Sequence, residues 1–230
     1  MQKPKLHYIE QRSPEWYKIR EGKITGTKVT SILGPIGNKK TLQAIDNLSM
    51  QLAIESVHGM IESDYISFDM QRGIDNEPSA VDVLRTELGK DFIDVTLVGF
   101  AEYSEHIGAS PDAVCSNNWC GQVKCPNTEK YFKFVLSGEI DPTHYAQIQH
   151  EILCTGSDGS YYVNYAVHKG IEYATITPIK RDETIIKTIL ERCTIVTEKK
   201  LSYIDKLKSK PEILLKVYDQ NITIYDTLPA

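Results

Sequence analysis

Ser110-Pro111-Asp112, followed ten residues beyond the aspartate by Gln122-Val123-Lys124, is the stretch on which the reading of this chain turns. It matches the metal-dependent nuclease pattern D…E-x-K at every place but one, because the glutamate position holds Gln122. In that pattern two carboxylates on adjacent strands hold Mg²⁺ between them, since hard cations take charged oxygen ligands. The lysine two residues beyond the second carboxylate holds the attacking water or the charge that builds on the phosphorus. Gln122 keeps an oxygen and loses a charge, so the same residues suggest a nuclease and question its activity.

Around this stretch the alternation of side chains is that of β-structure. Residues 92 to 103, 107 to 115 and 119 to 125 are predicted as three strands of an antiparallel meander, the last two joined through Ser116-Asn117-Asn118. Residues two apart on a strand share a face, which sends Gln122 and Lys124 into one cleft with Val123 packed behind. Pro126 ends the last strand; helices are expected over 127 to 136, closed by Ser137-Gly138, and over 142 to 154, which carries Gln147, Gln149 and Glu151. Strands over 160 to 168 and 171 to 179 follow. A long amphipathic helix over 182 to 208 turns Ile185, Ile189, Cys193, Val196 and Ile204 inward.

Upstream, Ser13-Pro14-Glu15 opens a short helix that stops at Gly22. The turn Ile24-Thr25-Gly26-Thr27 offers hydroxyls and backbone amides at the opening of the next helix, a natural anion site. Helices are predicted over 41 to 58 and 73 to 89, the second with an apolar stripe of Ile74, Val81, Leu84 and Leu88. Glu77 lies on that stripe, where a carboxylate requires a cationic partner or a place near the helix N-terminus. The element order predicts an α/β (α+β) fold with a central mixed β-sheet flanked by helices.

With 230 residues, 41% hydrophobic and 25% charged, the chain is predicted to form one domain over 1–230. No apolar run approaches a membrane span, and the start lacks the apolar core of a signal peptide, so a cytoplasmic location is expected. The five cysteines are an odd number at spacings that match no common zinc or iron–sulfur pattern, and reduced thiols are expected. Net charge is −5, unevenly spread: residues 1 to 40 hold nine Lys/Arg against three Glu, a local +6, which leaves −11 on the rest. Such a split suits a restricted basic surface facing phosphates, and equally an ordinary solvated face.

Five segments in order carry a family resemblance: Arg20 to Thr27 (R-x-G-x-I-T-x-[ST]), Gly73 to Glu77 (G-x-x-x-E), Ser110-Pro111-Asp112, Val123-Lys124-Cys125-Pro126, and Ala146 to Gln149 (A-Q-[VI]-Q). Together they resemble the phage lambda exonuclease type of viral recombination nuclease, the YqaJ-like group of the restriction-endonuclease-like superfamily, over about residues 13 to 180. The resemblance implies a restriction-endonuclease-like core and a 5′→3′ exonuclease. Such an enzyme degrades one strand of linear double-stranded DNA with two Mg²⁺ (or Mn²⁺) ions per site, leaving 3′ overhangs. It implies Asp112 as the central metal ligand, the position of Gln122 as second carboxylate, the Val123 carbonyl as a further ligand and Glu77 near the second ion. Lys124 would orient the water, Gln147 would support the site, and Arg20, Thr25 and Thr27 would receive the 5′-phosphate. Also implied are a ring-shaped homotrimer, a single-strand annealing recombinase as partner, and a bacterial host cytoplasm. For Gln122 three readings stand: a Glu→Gln change introduced to trap DNA, a natural variant in which Glu129 or Glu151 compensates, and a pseudo-nuclease that only binds DNA ends. A restriction-type endonuclease on the same core is the alternative outside the family.

Overall fold

Pro111 decides how the two sheets of the molecule are joined. Lacking an N–H, it cannot continue a ladder, and the chain changes sheets there. A computed structural model describes residues 4–60 and 66–209; Lys3 of the basic N-terminal set lies outside them. Strands β1 (Lys5–His7), β3 (Phe100–Ser104) and β4 (Ile107–Ala109) form a small antiparallel sheet in the order β1-β3-β4. Strands β2 (Val95–Thr96), β5 (Ala113–Cys115), β6 (Trp119–Lys124), β7 (Gly159–His168) and β8 (Ile171–Lys180) form a five-stranded sheet in that order. It is mixed: β6 and β7 run parallel and the other pairs antiparallel.

The three-strand meander is thus corrected. The expected strand over 92 to 103 is split into β2 and β3, and that over 107 to 115 into β4 and β5, with the two halves of each in different sheets. After Pro111, the Asp112 N–H joins the large sheet by donating to the Gly121 carbonyl at 3.0 Å. At the other crossing Gly99 donates to the His7 carbonyl (3.1 Å), and a β-carbon there would fall on the Ile9 carbonyl oxygen. β1, absent from the sequence reading, is three residues long and takes its partners from β3.

Among the described residues seven α-helices flank the sheets: α1 (Pro14–Arg20), α2 (Gly26–Val29), α3 (Lys39–His58), α4 (Phe68–Gly89), α5 (Thr128–Ser137), α6 (Pro142–Thr155) and α7 (Glu183–Lys208). Their ends follow local chemistry. The Ser13 hydroxyl accepts from the Trp16 N–H (3.2 Å) ahead of Pro14, and Gly138, at φ 67°, closes α5 with its N–H on the Phe134 carbonyl. α4 starts five residues earlier than expected because the Ser67 hydroxyl caps it, accepting from the Met70 N–H. Glu77 therefore stands in the helix interior, away from the favourable N-terminal end.

α4 covers one face of the large sheet, packing Val81, Leu84 and Leu88 against Val123, Val163 and Tyr165. The other core joins both sheets to α3, α6 and α7 through Leu52, Ala101, Ile148, Ile152, Ile189 and Val196. On α7 the buried stripe is Ile186, Ile189, Cys193 and Val196; Ile185 and Ile204, expected inward, are half-buried. α6 belongs to the core shared with α3 and α7 and carries buried residues through its last two turns, from Ile148 to Cys154. Its single exposed edge lies along a cleft, and there the candidate site is built.

Candidate active site

The cleft is a cavity of about 540 Å³, floored by the segment from Ser110 to Asp112 and by Gln122 to Pro126, and walled by α1, α2, α4 and α6. Strand alternation places its floor. Val123 packs into the core under α4, so Gln122 and Lys124 face the opposite side, toward α6. α6 in turn presents Gln147 and Glu151, four residues apart on one helical face.

Hydrogen bonds tie these groups into one network. Gln122 Nε2 donates to Asp112 Oδ2 (2.6 Å) and to the Val123 carbonyl (3.1 Å), and the Val123 N–H donates to the same Asp112 oxygen (2.6 Å). Gln147 Nε2 donates to Gln122 Oε1 (3.0 Å) and to Glu151 Oε1 (2.8 Å), while its Oε1 accepts from Lys124 Nζ (3.2 Å). The amide group of Gln122 thus stands between the Asp112 carboxylate and the Val123 carbonyl, the two oxygens on which a cation would be expected.

The electrostatics are those of acids withdrawn from water. Burial pushes Asp112 up to about 7, against the pull of Lys124 and with Glu77 adding to the rise. Burial likewise pushes Glu151 up to about 8, helped by the neighbouring Asp112 and opposed by Lys124. Glu151 is 1% exposed, and its Oε2 has no hydrogen-bond partner. Buried carboxylates so placed favour a proton or a cation, because an ion in low dielectric requires compensation. Among the described residues no three His, Cys, Asp or Glu side chains stand together as a metal cage. The donors that face the cleft are instead Asp112 and Glu151, with amide and backbone oxygens beside them, and Glu77 and Asp69 on α4, paired with Arg12 and Arg72. All are hard oxygen donors of the kind that Mg²⁺ takes.

The other expected site residues divide. Arg20 lines the cleft, its guanidinium 3.9 Å from the centre of the Trp16 ring and donating to Ser110 Oγ (2.6 Å). Burial lowers it to about 10, which leaves it charged at neutral pH. Thr27 lines the cleft and is exposed. Thr25 does not: it is 2% exposed, outside the cleft lining, with its hydroxyl unpartnered. α2 is only four residues long, so the anion site read from this turn has no helix of useful length behind it. Glu77 pairs with Arg12 at 2.8 Å, the partner that its place on the apolar stripe required.

Half of the described basic residues of the N-terminal segment, Arg12 among them, are in ion pairs. Lys18 pairs with Glu21, Lys23 with Glu102 and Lys28 with Glu55. The positive charge around the cleft comes from Arg12, Arg20, Arg72, Lys124 and Lys130, of which only the first two precede residue 40. Sequence reasoning missed Arg12, whose φ of 69° lies in the left-handed region that non-glycine residues seldom occupy. It also missed Trp16 and Ser110 as the platform for Arg20; the only signal was their place beside quoted motifs.

A profile of the YqaJ-like viral recombinase domain matches residues 15–158. The chain belongs to this family. Among solved structures it is similar to the alkaline exonuclease LHK-Exo of Laribacter hongkongensis, at 27% identity and a TM-score of 0.74, covering 88% of this chain and 100% of that one. A second structure of LHK-Exo, in complex with dAMP, aligns at 25% identity and a TM-score of 0.73 with the same coverage. A phage-related exonuclease from Haemophilus somnus 129PT shares the fold at 16% identity and a TM-score of 0.57, over 82% of this chain and 96% of that one. Comparison with curated protein sequences finds no significant match. The restriction-endonuclease-like core and the lambda-exonuclease type expected from the five motifs are those of the family and its structural neighbours. The match spans Arg20, Glu77, Asp112, Gln122, Lys124 and Gln147.

Proposed function

We propose that this chain is a metal-dependent exonuclease that degrades one strand of linear double-stranded DNA in the 5′→3′ direction, leaving 3′ overhangs for recombination by strand annealing. The observation that carries the reading is the convergence of Asp112, Gln122, the Val123 carbonyl, Lys124 and Gln147 in one cleft of a family fold. Asp112 and the Val123 carbonyl would hold a divalent cation, joined by Gln122 Oε1 once the amide turns to exchange its nitrogen for its oxygen between them, with Glu77 toward a second. When bound, Mg²⁺ or Mn²⁺ supplies positive charge to the attacking and leaving oxygens.

The chain's own groups do the rest. Lys124, kept in place by Gln147, holds the attacking water and counters charge on the phosphate. Arg20 and Thr27 receive the 5′-phosphate, the guanidinium held over the Trp16 ring and offering several donors. A homotrimer around the duplex and a single-strand annealing recombinase as recipient of the 3′ strand belong to the same proposal, on the strength of the family resemblance.

A second reading has its own observation. With the Gln122 amide seated between Asp112 and Val123, the chain would serve as a DNA-end-binding module without turnover. The deciding assay incubates linear duplex bearing 5′-phosphates with Mg²⁺ and this chain or its Gln122→Glu form. Release of mononucleotides from 5′ ends by either form supports the enzyme. No release by either, with DNA still bound, sinks it in favour of end binding, and cuts in closed circles point to a restriction-type endonuclease.

A further inference from the structure

We infer that Glu151 supplies the carboxylate that position 122 lacks, so that the second acidic ligand of the divalent cation comes from helix α6 and not from strand β6. The inference deepens the metal-dependent reading of the cleft and rests on it. Its first support is geometric. Glu151 Oε1 and Gln122 Oε1 both accept from the single nitrogen Gln147 Nε2, at 2.8 and 3.0 Å, so the two side chains end side by side. Gln122 in turn touches Asp112. A carboxylate placed at 151 therefore enters the same small volume as one placed at 122.

The second support is the unsatisfied oxygen. Glu151 is almost fully buried in the cleft wall, and its Oε2 meets no donor. An uncompensated carboxylate in that setting is costly, and a hard cation shared with Asp112 would remove the cost. The other acids near the motif offer nothing comparable: Glu129 is exposed and paired with Lys133 at 2.7 Å, Asp69 is exposed and paired with Arg72 at 2.7 Å, and Glu77 is engaged by Arg12.

The third support is a count of charges. Asp112 with Glu151 makes two carboxylates, the number that the D…E-x-K pattern contains. With glutamate at 122 as well, three would crowd around Gln147 and Asp112. Glutamine at 122 is then the neutral partner that a glutamate at 151 requires, which favours the natural-variant reading among the three and selects Glu151 over Glu129.

The test reads metal binding in DNA-free protein: Mn²⁺ affinity by electron paramagnetic resonance, for the full chain and for Asp112→Asn, Glu151→Gln, Gln122→Glu and the double exchange Gln122→Glu with Glu151→Gln. Glu151→Gln is expected to weaken Mn²⁺ binding about tenfold or more, as loss of a ligand does. The double exchange is expected to restore it, a rescue that a merely structural Glu151 would not give. Glu151→Gln is nearly isosteric and leaves no acid at 151; a thermal melt checks its fold, and Glu151→Ser is the second variant should it fail. If Asp112→Asn loses Mn²⁺ while Glu151→Gln keeps it, the proposal is overturned and the metal-dependent reading stands. If the parent binds no Mn²⁺ and only Gln122→Glu does, the proposal is likewise overturned. If no form binds Mn²⁺ and none degrades DNA, the metal-dependent reading falls with it.

Discussion

At the scale of single residues, Lys124 and Arg20 share one cleft, and the proposed function gives them separate tasks. Lys124 Nζ is held by Gln147 beside the acids, whereas Arg20 lies over Trp16 and is bonded to Ser110. Lys124→Ala is expected to abolish turnover and leave DNA binding in place, as seen by comparing nucleotide release with a gel-shift titration. Arg20→Ala is expected to leave residual turnover and erase the preference for 5′-phosphorylated over 5′-hydroxyl ends. An unchanged preference would mean that the phosphate is received elsewhere. The two buried acids set a pH dependence. Asp112, pushed up to about 7, and Glu151, pushed up to about 8, bind protons in the native state that the unfolded chain has already released. Metal-free stability should therefore fall as pH rises from the ordinary carboxylate range to about 8. Because ligands must lose their protons to bind, Mg²⁺ affinity should rise over the same interval. Melting temperature against pH, with chelator and with Mg²⁺, checks both signs; two parallel flat curves would refute the assignment.

At the scale of elements, the site depends on α6 being immovable. α6 is packed by Ile148 and Ile152 into the cluster that α7 closes through Ile189. Ile189→Ala removes a fully buried side chain and is expected to cost about 2–5 kcal/mol, read from urea unfolding. α7 lines no part of the cleft, so Mn²⁺ affinity at temperatures well below melting should change little. A large loss of metal binding in a folded Ile189→Ala protein would show that α6 shifts with its packing. Element identity was largely legible in the sequence, since Ser13, Asn127, Asp141 and Asp182 cap helices by the local rule. What misled was continuity. The apolar alternation runs on through Gly99 and Pro111, and only the competition of two sheets for the same chain breaks it into β2, β3, β4 and β5.

At the scale of the whole molecule, the basic residues around the cleft are gathered from α1, α4, α5, β6 and the loop before α1, while Lys18, Lys23 and Lys28 of the N-terminal segment are paired with Glu21, Glu102 and Glu55. Among the described residues no helix is long and apolar enough to cross a membrane. An end-dependent enzyme should degrade linear duplex and leave closed circles intact, and each turnover should slow with added salt as cations compete for the phosphates. Gel analysis of linear and relaxed circular forms of one plasmid checks this. By itself the sequence determined the family, the strand that aims Gln122 and Lys124 together, and the gap in the acid pattern, because these depend on short motifs and on a period of two. Only the tertiary structure decided that Thr25 is buried, that Arg12 answers Glu77, and that Glu151 arrives beside Gln122. These are contacts between segments far apart in the chain, and local periodicity carries no record of them.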